Sequence, residues 1–174
     1  DFYRTILLVE NSPRFISYDL FVQTNGKIEA FVKRRISWDV EDVVDEIYTT
    51  AWRKKEAIPN DEKEALLWLF ATARRVIANK IRFKRRQDRF NSLNNPLIES
   101  AATQHSPHQT WVHEALASMT KDHREALLLV EWDGLSVGEA ATVLDIPETT
   151  LTKRLHSARE SFSRSYSLIE GREK

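Results

Sequence analysis

Between Arg74 and Arg89 eight cations, Arg74, Arg75, Lys80, Arg82, Lys84, Arg85, Arg86 and Arg89, stand against a single acid, Asp88. Three aromatics, Trp68, Phe70 and Phe83, lie before or among them. Cations for phosphate and aromatic faces for bases are the means by which proteins hold single-stranded nucleic acid. The alternative is a solvated amphipathic helix end, since cations also favour a helix C-terminus. A second set lies near the other end of the chain. Glu148, Thr149, Thr150, Thr152, Lys153, His156 and Arg159 share the outward side of a helix whose inward positions are Leu151, Leu155, Ala158 and Phe162. Hydroxyls and cations so placed suit contacts to phosphates and base edges. The same pattern also fits the wet side of a plain helical hairpin.

Residue types that would carry catalysis form no pattern. The chain has no cysteine, which excludes disulfides, thiolate metal sites and cysteine nucleophiles and suits a reducing, cytoplasmic compartment. His105, His108 and His113 are close in sequence but have no matching carboxylate or thiolate group, so they read as solvated histidines. Neither a Gly-rich phosphate loop nor a G-x-S-x-G elbow occurs. The reading is therefore no catalytic residue, no metal and no cofactor. No apolar run approaches the roughly 18–20 residues of a membrane span, so no membrane insertion is expected. The opening Asp1-Phe2-Tyr3-Arg4 has neither an initiator Met nor a signal-peptide pattern and reads as a trimmed chain.

Charge supplies the first clue to partners. The 26 Lys and Arg residues balance 26 Asp and Glu residues over 174 positions, a formal net charge of zero. A protein that grips nucleic acid alone usually carries a basic excess, because each neutralised phosphate releases counterions. Here the balance hides segregation. From Asp39 to Glu64 nine acids outnumber four bases, the reverse of the stretch from Arg74 to Arg89. One surface suits a basic or polar protein and another suits phosphate.

The elements that must position these residues are helices. With 41% hydrophobic and 30% charged residues the chain has a folding composition, and its 4 glycines and 5 prolines argue against an all-β plan. Val40, Val43, Val44, Ile47, Tyr48, Ala51 and Trp52 form one helical stripe, with Asp39 as its expected N-cap. Val43, Ile47 and Trp52 are expected in the core. Upstream, Ile28, Phe31, Val32 and Ile36 indicate a helix ending near Ser37-Trp38. Downstream, Asp61 and Glu64 resemble a capping box, opening a long helix through Leu66, Leu69, Phe70, Ala73, Val76, Ile77 and Ile81. Periodicity fails from Gln87 to about Thr110, where Asn, Ser, Gln and Pro predominate, as in a linker.

A second helical block follows. One helix carries Ala115, Leu116 and Met119 and stops before Thr120; another carries Ala126, Leu127 and Val130 and stops near Asp133-Gly134. Ser136 with Glu139 makes a capping box for a short helix, and Asp145-Ile146-Pro147 turns into the last one, with Pro147 at its first position. The short helix, tight turn and longer helix read as a helix-turn-helix, whose second helix enters the major groove. Thr5 to Val9 fit either a strand or an extra helix.

The order of these parts resembles the extracytoplasmic-function (ECF) group of bacterial RNA polymerase sigma factors. That family's region 2 reads D-A-E-D-L-x-Q-E-x-F-x-x-x-W, and Asp39 to Trp52 reads D-V-E-D-V-V-D-E-I-Y-T-T-A-W. The family's W-L-x-x-I-A-R-N-x-x-x-D-x-x-R-R is similar to the stretch from Trp68 to Arg86. Its region 4 pattern is matched by Leu135-Ser136, Glu139-Ala140-Ala141, Leu144, Pro147, Thr149-Thr150-Leu151, Lys153-Arg154-Leu155 and Ala158-Arg159. The likeness covers about four-fifths of the chain. Asp45 stands where the family usually has Gln, Thr149 where it has Gly, Lys153 where it has Ser, and Ile58-Pro59-Asn60-Asp61 replaces the usual loop before Trp68.

The resemblance implies an all-α fold of two small helical domains joined by a flexible linker. Residues 1–14 have no assigned role, 15–88 form region 2, 89–110 the linker and 111–170 the region 4 helix-turn-helix. It further implies a promoter-specificity subunit whose partners are core RNA polymerase (the clamp helices of the largest subunit and the flap), promoter DNA and an anti-sigma factor. Asp42, Asp45, Glu46 and Thr49 would contact the polymerase. Asn60, Asp61, Trp68, Arg74, Arg75, Asn79, Lys80 and Arg82 would engage the −10 element, the loop from Ala57 to Glu64 trapping an unstacked base. Thr149, Thr150, Thr152, Lys153 and His156 would read the −35 element, with Arg154 and Arg159 on phosphates. Two other readings remain: a stand-alone helix-turn-helix regulator with an N-terminal dimerisation or sensing domain, and a pure protein-interaction module.

Overall fold

The computed structural model describes residues 18–94 and 107–170, and the side chains of 21–90 and 112–167. The expectations for Thr5 to Val9 lie outside these residues. Among the described residues there is no strand, and the chain divides into two compact units, Asp1–Leu97 and Ile98–Lys174. No described helix is long and apolar enough to cross a membrane.

The first unit packs α1 (Tyr18–Lys33), α2 (Val40–Arg53) and α3 (Glu62–Asn94) around one core. Ile28, Phe31 and Val32 of α1 meet Val43, Ile47 and Ala51 of α2 and Leu69, Phe70 and Ala73 of α3, all at most 2% exposed. The Phe31 and Phe70 rings lie 4.9 Å apart, a spacing that adds to their area burial. The buried Tyr48 hydroxyl is satisfied by the Thr24 hydroxyl at 3.1 Å. Trp52 departs from expectation. It is 51% exposed, because the stripe turns off the core in the last turn of α2.

Helix ends in this unit obey capping chemistry in part. Asp61 Oδ1 accepts the Glu64 N–H at 2.9 Å and starts α3 as expected. Asp39 occupies the N-cap position of α2 but makes no side-chain cap; its backbone is left-handed, φ 49°, and the chain enters the helix through that bend. Before it, α1 stops at Lys33, short of the expected Ser37-Trp38, and a turn follows in which Ile36 N–H donates to Val32 O. A short 3-10 turn, Lys55–Ala57, joins α2 to the Asp61 cap.

α3 corrects the expected linker. It runs 33 residues, about 50 Å at 1.5 Å per residue, and residues 89–94 are helical. Its core contacts fade after Ile77, and every side chain from Arg82 to Phe90 is exposed. Gln, Arg and Lys are strong helix formers, and no Gly or Pro intervenes before Pro96, so the helix propagates beyond the bundle.

The second unit comprises α4 (Pro107–Ser118), α5 (Lys121–Leu127), a π turn (Leu128–Trp132), α6 (Val137–Leu144) and α7 (Glu148–Glu170). Residues 107–110 are thus helical as well, with Pro107 at the first position, where its missing N–H costs nothing. The stretch remaining between the helices, 95–106, lies outside the described residues. Arg124 ties α4 to α5, donating to the carbonyls of Leu116, Ala117 and Met119 at 2.6, 3.0 and 3.2 Å. Such carbonyls at a helix C-terminus lack intrahelical donors, although Leu116 O also accepts the Met119 N–H at 3.3 Å. Asp133 N–H reaches Leu128 O at 2.8 Å, the wider spacing that defines the π turn. Leu129, Leu151, Ala115, Ala126, Ala140 and Ala158 are fully buried, so the core sets leucines against alanines that let helices approach.

Candidate nucleic-acid and docking surfaces

On α3 the cations separate into two sides. Arg75, Asn79, Arg82, Arg86 and Arg89 recur at intervals of three and four and are exposed, forming one stripe. Within it Arg82 Nη2 donates to Asn79 Oδ1, which orders the guanidinium on the helix surface. Lys80 and Lys84 leave from the other side. Lys80 Nζ is 3.0 Å from Glu46 Oε2 on α2, and Lys84 Nζ lies 5.2 Å from the Trp38 ring centroid and 3.9 Å from Asp88 Oδ1. The hydrogen bond that Lys80 donates to Glu46 raises its pKa above the ordinary lysine value; burial opposes this, and the charges of Glu46, Asp42 and Asp39 add to it. Arg74 is half-buried.

The expected aromatic set also divides. Phe70 is core, 2% exposed against Phe31, and has no face to offer a base. Phe83 is 59% exposed beside Arg82, and Trp68 is half-buried in the second turn of α3. In the preceding loop Asn60 and Asp61 are both exposed, but one carboxylate oxygen of Asp61 is engaged by the cap. On α2, Asp42, Asp45, Glu46 and Thr49 fall at i, i+3, i+4 and i+7. Asp42 and Asp45 are exposed, and Glu46 and Thr49 are half-exposed, on a side away from Val43 and Ile47. That ridge carries three carboxylates, of which Glu46 is bonded to Lys80.

In the second unit the helix-turn-helix is locally overdetermined. The Ser136 side chain accepts the Glu139 N–H at 3.3 Å while the Glu139 carboxylate accepts the Ser136 N–H at 2.7 Å, the reciprocal box read from sequence. α6 ends at Asp145 in a left-handed conformation, φ 57°, and Ile146 N–H closes back on Ala141 O at 3.2 Å. The first helical residue of α7 is Glu148, one beyond Pro147, whose carbonyl accepts the Leu151 N–H at 3.1 Å. Leu151, Leu155 and Ala158 anchor the inner side.

Thr149, Thr150, Thr152, Lys153 and His156 are all exposed on the first turns of α7. The Thr152 hydroxyl donates to Glu148 O at 2.9 Å, so outward it presents its methyl group and an acceptor. His156 Nε2 lies 3.5 Å from Glu160 Oε1. The two arginines are held from behind. Arg159 donates through Nε and Nη2 to Glu131 Oε1 at 2.9 and 2.6 Å, and Arg154 Nη2 stands 3.6 Å from Asp122 Oδ2. Sequence reasoning had no signal for Glu131, Asp122 or Trp38, since each partner is over twenty residues away. His113 is exposed, and the side chains of His105 and His108 lie outside the described residues. Among the described residues no group of His, Cys, Asp or Glu could hold a metal ion.

Comparison with known proteins bears on what these surfaces serve. Residues 109–162 match the sigma-70 region 4 family. ECF RNA polymerase sigma factor SigC of Mycobacterium tuberculosis (strain CDC 1551) is 33% identical over 152 residues, covering 79% of this chain and 82% of that protein. SigL of M. tuberculosis (strain H37Rv), another ECF sigma factor, is 31% identical over 126 residues, 68% of this chain and 69% of its own. The ECF sigma-E factor of Escherichia coli K12 is 29% identical over 160 residues, 82% of each chain. Among solved structures, Bartonella quintana RpoE, crystallised with the anti-sigma factor NepR, has a TM-score of 0.64 at 21% identity, covering 86% of this chain and 95% of that one. CnrH, in complex with the cytosolic domain of CnrY, has a TM-score of 0.63 at 22% identity over 88% of this chain and 86% of its own. These two speak to the fold.

Proposed function

Because this chain belongs to the ECF RNA polymerase sigma factors and is a promoter-specificity subunit, we propose that its two helical units divide the work of starting transcription. The capped helix-turn-helix reads the −35 element and the basic face of α3 holds the melted −10 strand. The observation that carries this reading is the exposed start of α7, set by the Ser136–Glu139 box within the stretch that matches region 4. The stand-alone regulator is not favoured, since the curated relatives are sigma factors along most of their length.

At the −35 element Thr149, Thr150, Thr152, Lys153 and His156 face base edges, and Lys153 supplies a donor suited to guanine. Arg154 and Arg159, anchored by Asp122 and Glu131, sit behind them toward phosphates. At the −10 element Arg75, Asn79 and Arg82 track the single strand and Trp68 with Asn60 and Asp61 borders an unstacked base, Arg74 backing them. Extrusion of a base costs a few kcal/mol, which stacking at ~1–3 kcal/mol per base and phosphate contacts offset. Asp42, Asp45, Glu46 and Thr49 dock on the clamp helices of core polymerase, the second unit on its flap. The protein works in the cytoplasm, and an anti-sigma factor is its regulator; NepR, bound to the RpoE fold neighbour, is of that kind.

Run-off transcription from a promoter library, using core polymerase with and without this chain, tests the reading. A transcript set that depends on the chain and shares two unequal elements at fixed spacing is expected. Palindromic half-sites bound by the chain alone would replace it with the regulator.

A further inference from the structure

We propose that Lys80 and Lys84 form a clamp on α2 that positions its polymerase-docking carboxylates, and that Lys80 is not a −10 contact. The inference rests on the reading of α2 as the docking helix. Lys80 and Lys84 are one turn apart on α3, and both reach back to the start of α2. Lys84 lies over Trp38, immediately before the helix, and Lys80 bonds Glu46 in its second turn. The first contact fixes where the chain enters α2 and the second fixes the rotation of the acidic ridge about its axis.

Three further observations agree. Lys80 leaves α3 on the side of Ala73, Val76 and Ile77, and its ammonium points to Glu46 rather than along the exposed Arg75, Asn79 and Arg82 stripe. Lys80 Nζ lies 3.0 Å from Glu46 of the acidic ridge, and the charges of Asp42 and Asp39 also favour its protonated form. The entry to α2 lacks a side-chain cap and passes through left-handed Asp39, so the helix start depends on tertiary contacts for its placement. Lys80 is accordingly a positioning residue acting through Glu46: it pre-orients a carboxylate that would otherwise sample several rotamers, and it lowers the ordering cost when the partner arrives.

The test uses the full chain and core polymerase. Affinity for core is measured by fluorescence with wild type, Lys80→Gln, Glu46→Gln, the double variant, Lys80→Arg, Asp42→Asn and Arg75→Ala. Each assembled complex, at saturating core, is then titrated with a single-stranded −10 oligonucleotide. Lys80→Gln is expected to weaken core binding by about two- to fivefold, the scale of a partly exposed ion pair. The double variant should be no worse than Glu46→Gln, and Lys80→Arg should restore affinity, which a loss of helix packing alone would not allow. Oligonucleotide affinity should track Arg75.

Two results overturn the proposal while leaving the docking reading intact. One is a Lys80→Gln variant that binds core normally while Glu46→Gln and Asp42→Asn do not. The other is a Lys80→Gln complex that loses oligonucleotide affinity as Arg75→Ala does. Normal core binding by Asp42→Asn and Glu46→Gln alike would remove the docking reading and this proposal with it.

Discussion

Arg159 and Lys153 are both cations of α7, and their surroundings differ. Arg159 is fastened by two hydrogen bonds to Glu131, whereas Lys153 is exposed on the outward side near the helix start. A donor that meets base edges contributes about 1–3 kcal/mol of discrimination. Lys153→Ala is therefore expected to lower initiation at the preferred promoter by about tenfold or more and to relax preference at one −35 position, read by sequencing transcripts from a randomised element. Arg159→Ala should instead weaken all sequences alike. Lys80 gives a pH prediction with a definite sign. Its pKa is raised in the folded chain, so the stabilisation is fully present below the ordinary lysine value of 10.5 and is lost as pH rises through the raised value. The stability gap between wild type and Lys80→Met, measured by urea unfolding, should stay level from about pH 7 to 9 and shrink in strongly alkaline buffer.

Among the elements, α6 depends most on local chemistry, because eight residues cannot hold a helix by propagation alone. Ser136→Ala removes one half of its box and should cost about 1 kcal/mol of stability. The midpoint of thermal unfolding should fall, and Ser136→Asp should recover most of the loss; an unchanged midpoint would show that packing alone sets the helix. This box was legible in the sequence, as were the Asp61 cap and the stripes of α2 and α7, because each is written in steps of three or four residues. The overhang of α3 was not: from Arg82 to Phe90 it has no buried side to create a period, and polar helix formers read the same as a linker. The π turn at Leu128–Trp132 left no mark either, since its extra residue sits inside an apolar run. Candidate site residues were read by position on a helix, and Arg75 and Lys153 are exposed where that position put them. It missed that Lys80 turns toward α2 and that Phe70 faces Phe31, because those are decided by which helix packs alongside.

At the scale of the molecule, the zero net charge is the sum of unlike halves. The unit to Leu97 has 18 basic and 14 acidic residues, and the unit from Ile98 has 8 basic and 12 acidic. The half that carries the helix-turn-helix is therefore net acidic, which is unfavourable for a domain expected to find DNA by itself. Its arginines Arg154 and Arg159 already have acidic partners. A cation neutralised within the protein releases few counterions from DNA, and each phosphate contact contributes about −0.9 to the salt slope for duplex DNA. The chain alone should consequently bind −35 duplex weakly, with a log–log salt slope no steeper than about −2, corresponding to Lys153 and one further contact. Core polymerase supplies the remaining attraction by carrying the unit to the duplex, and with it a footprint over both elements should appear. Fluorescence anisotropy across a salt series, followed by footprinting with and without core, decides the matter. Nanomolar binding by the free chain at physiological salt would mean that the acidic half recognises DNA unaided, and the division of labour between chain and polymerase would have to be abandoned.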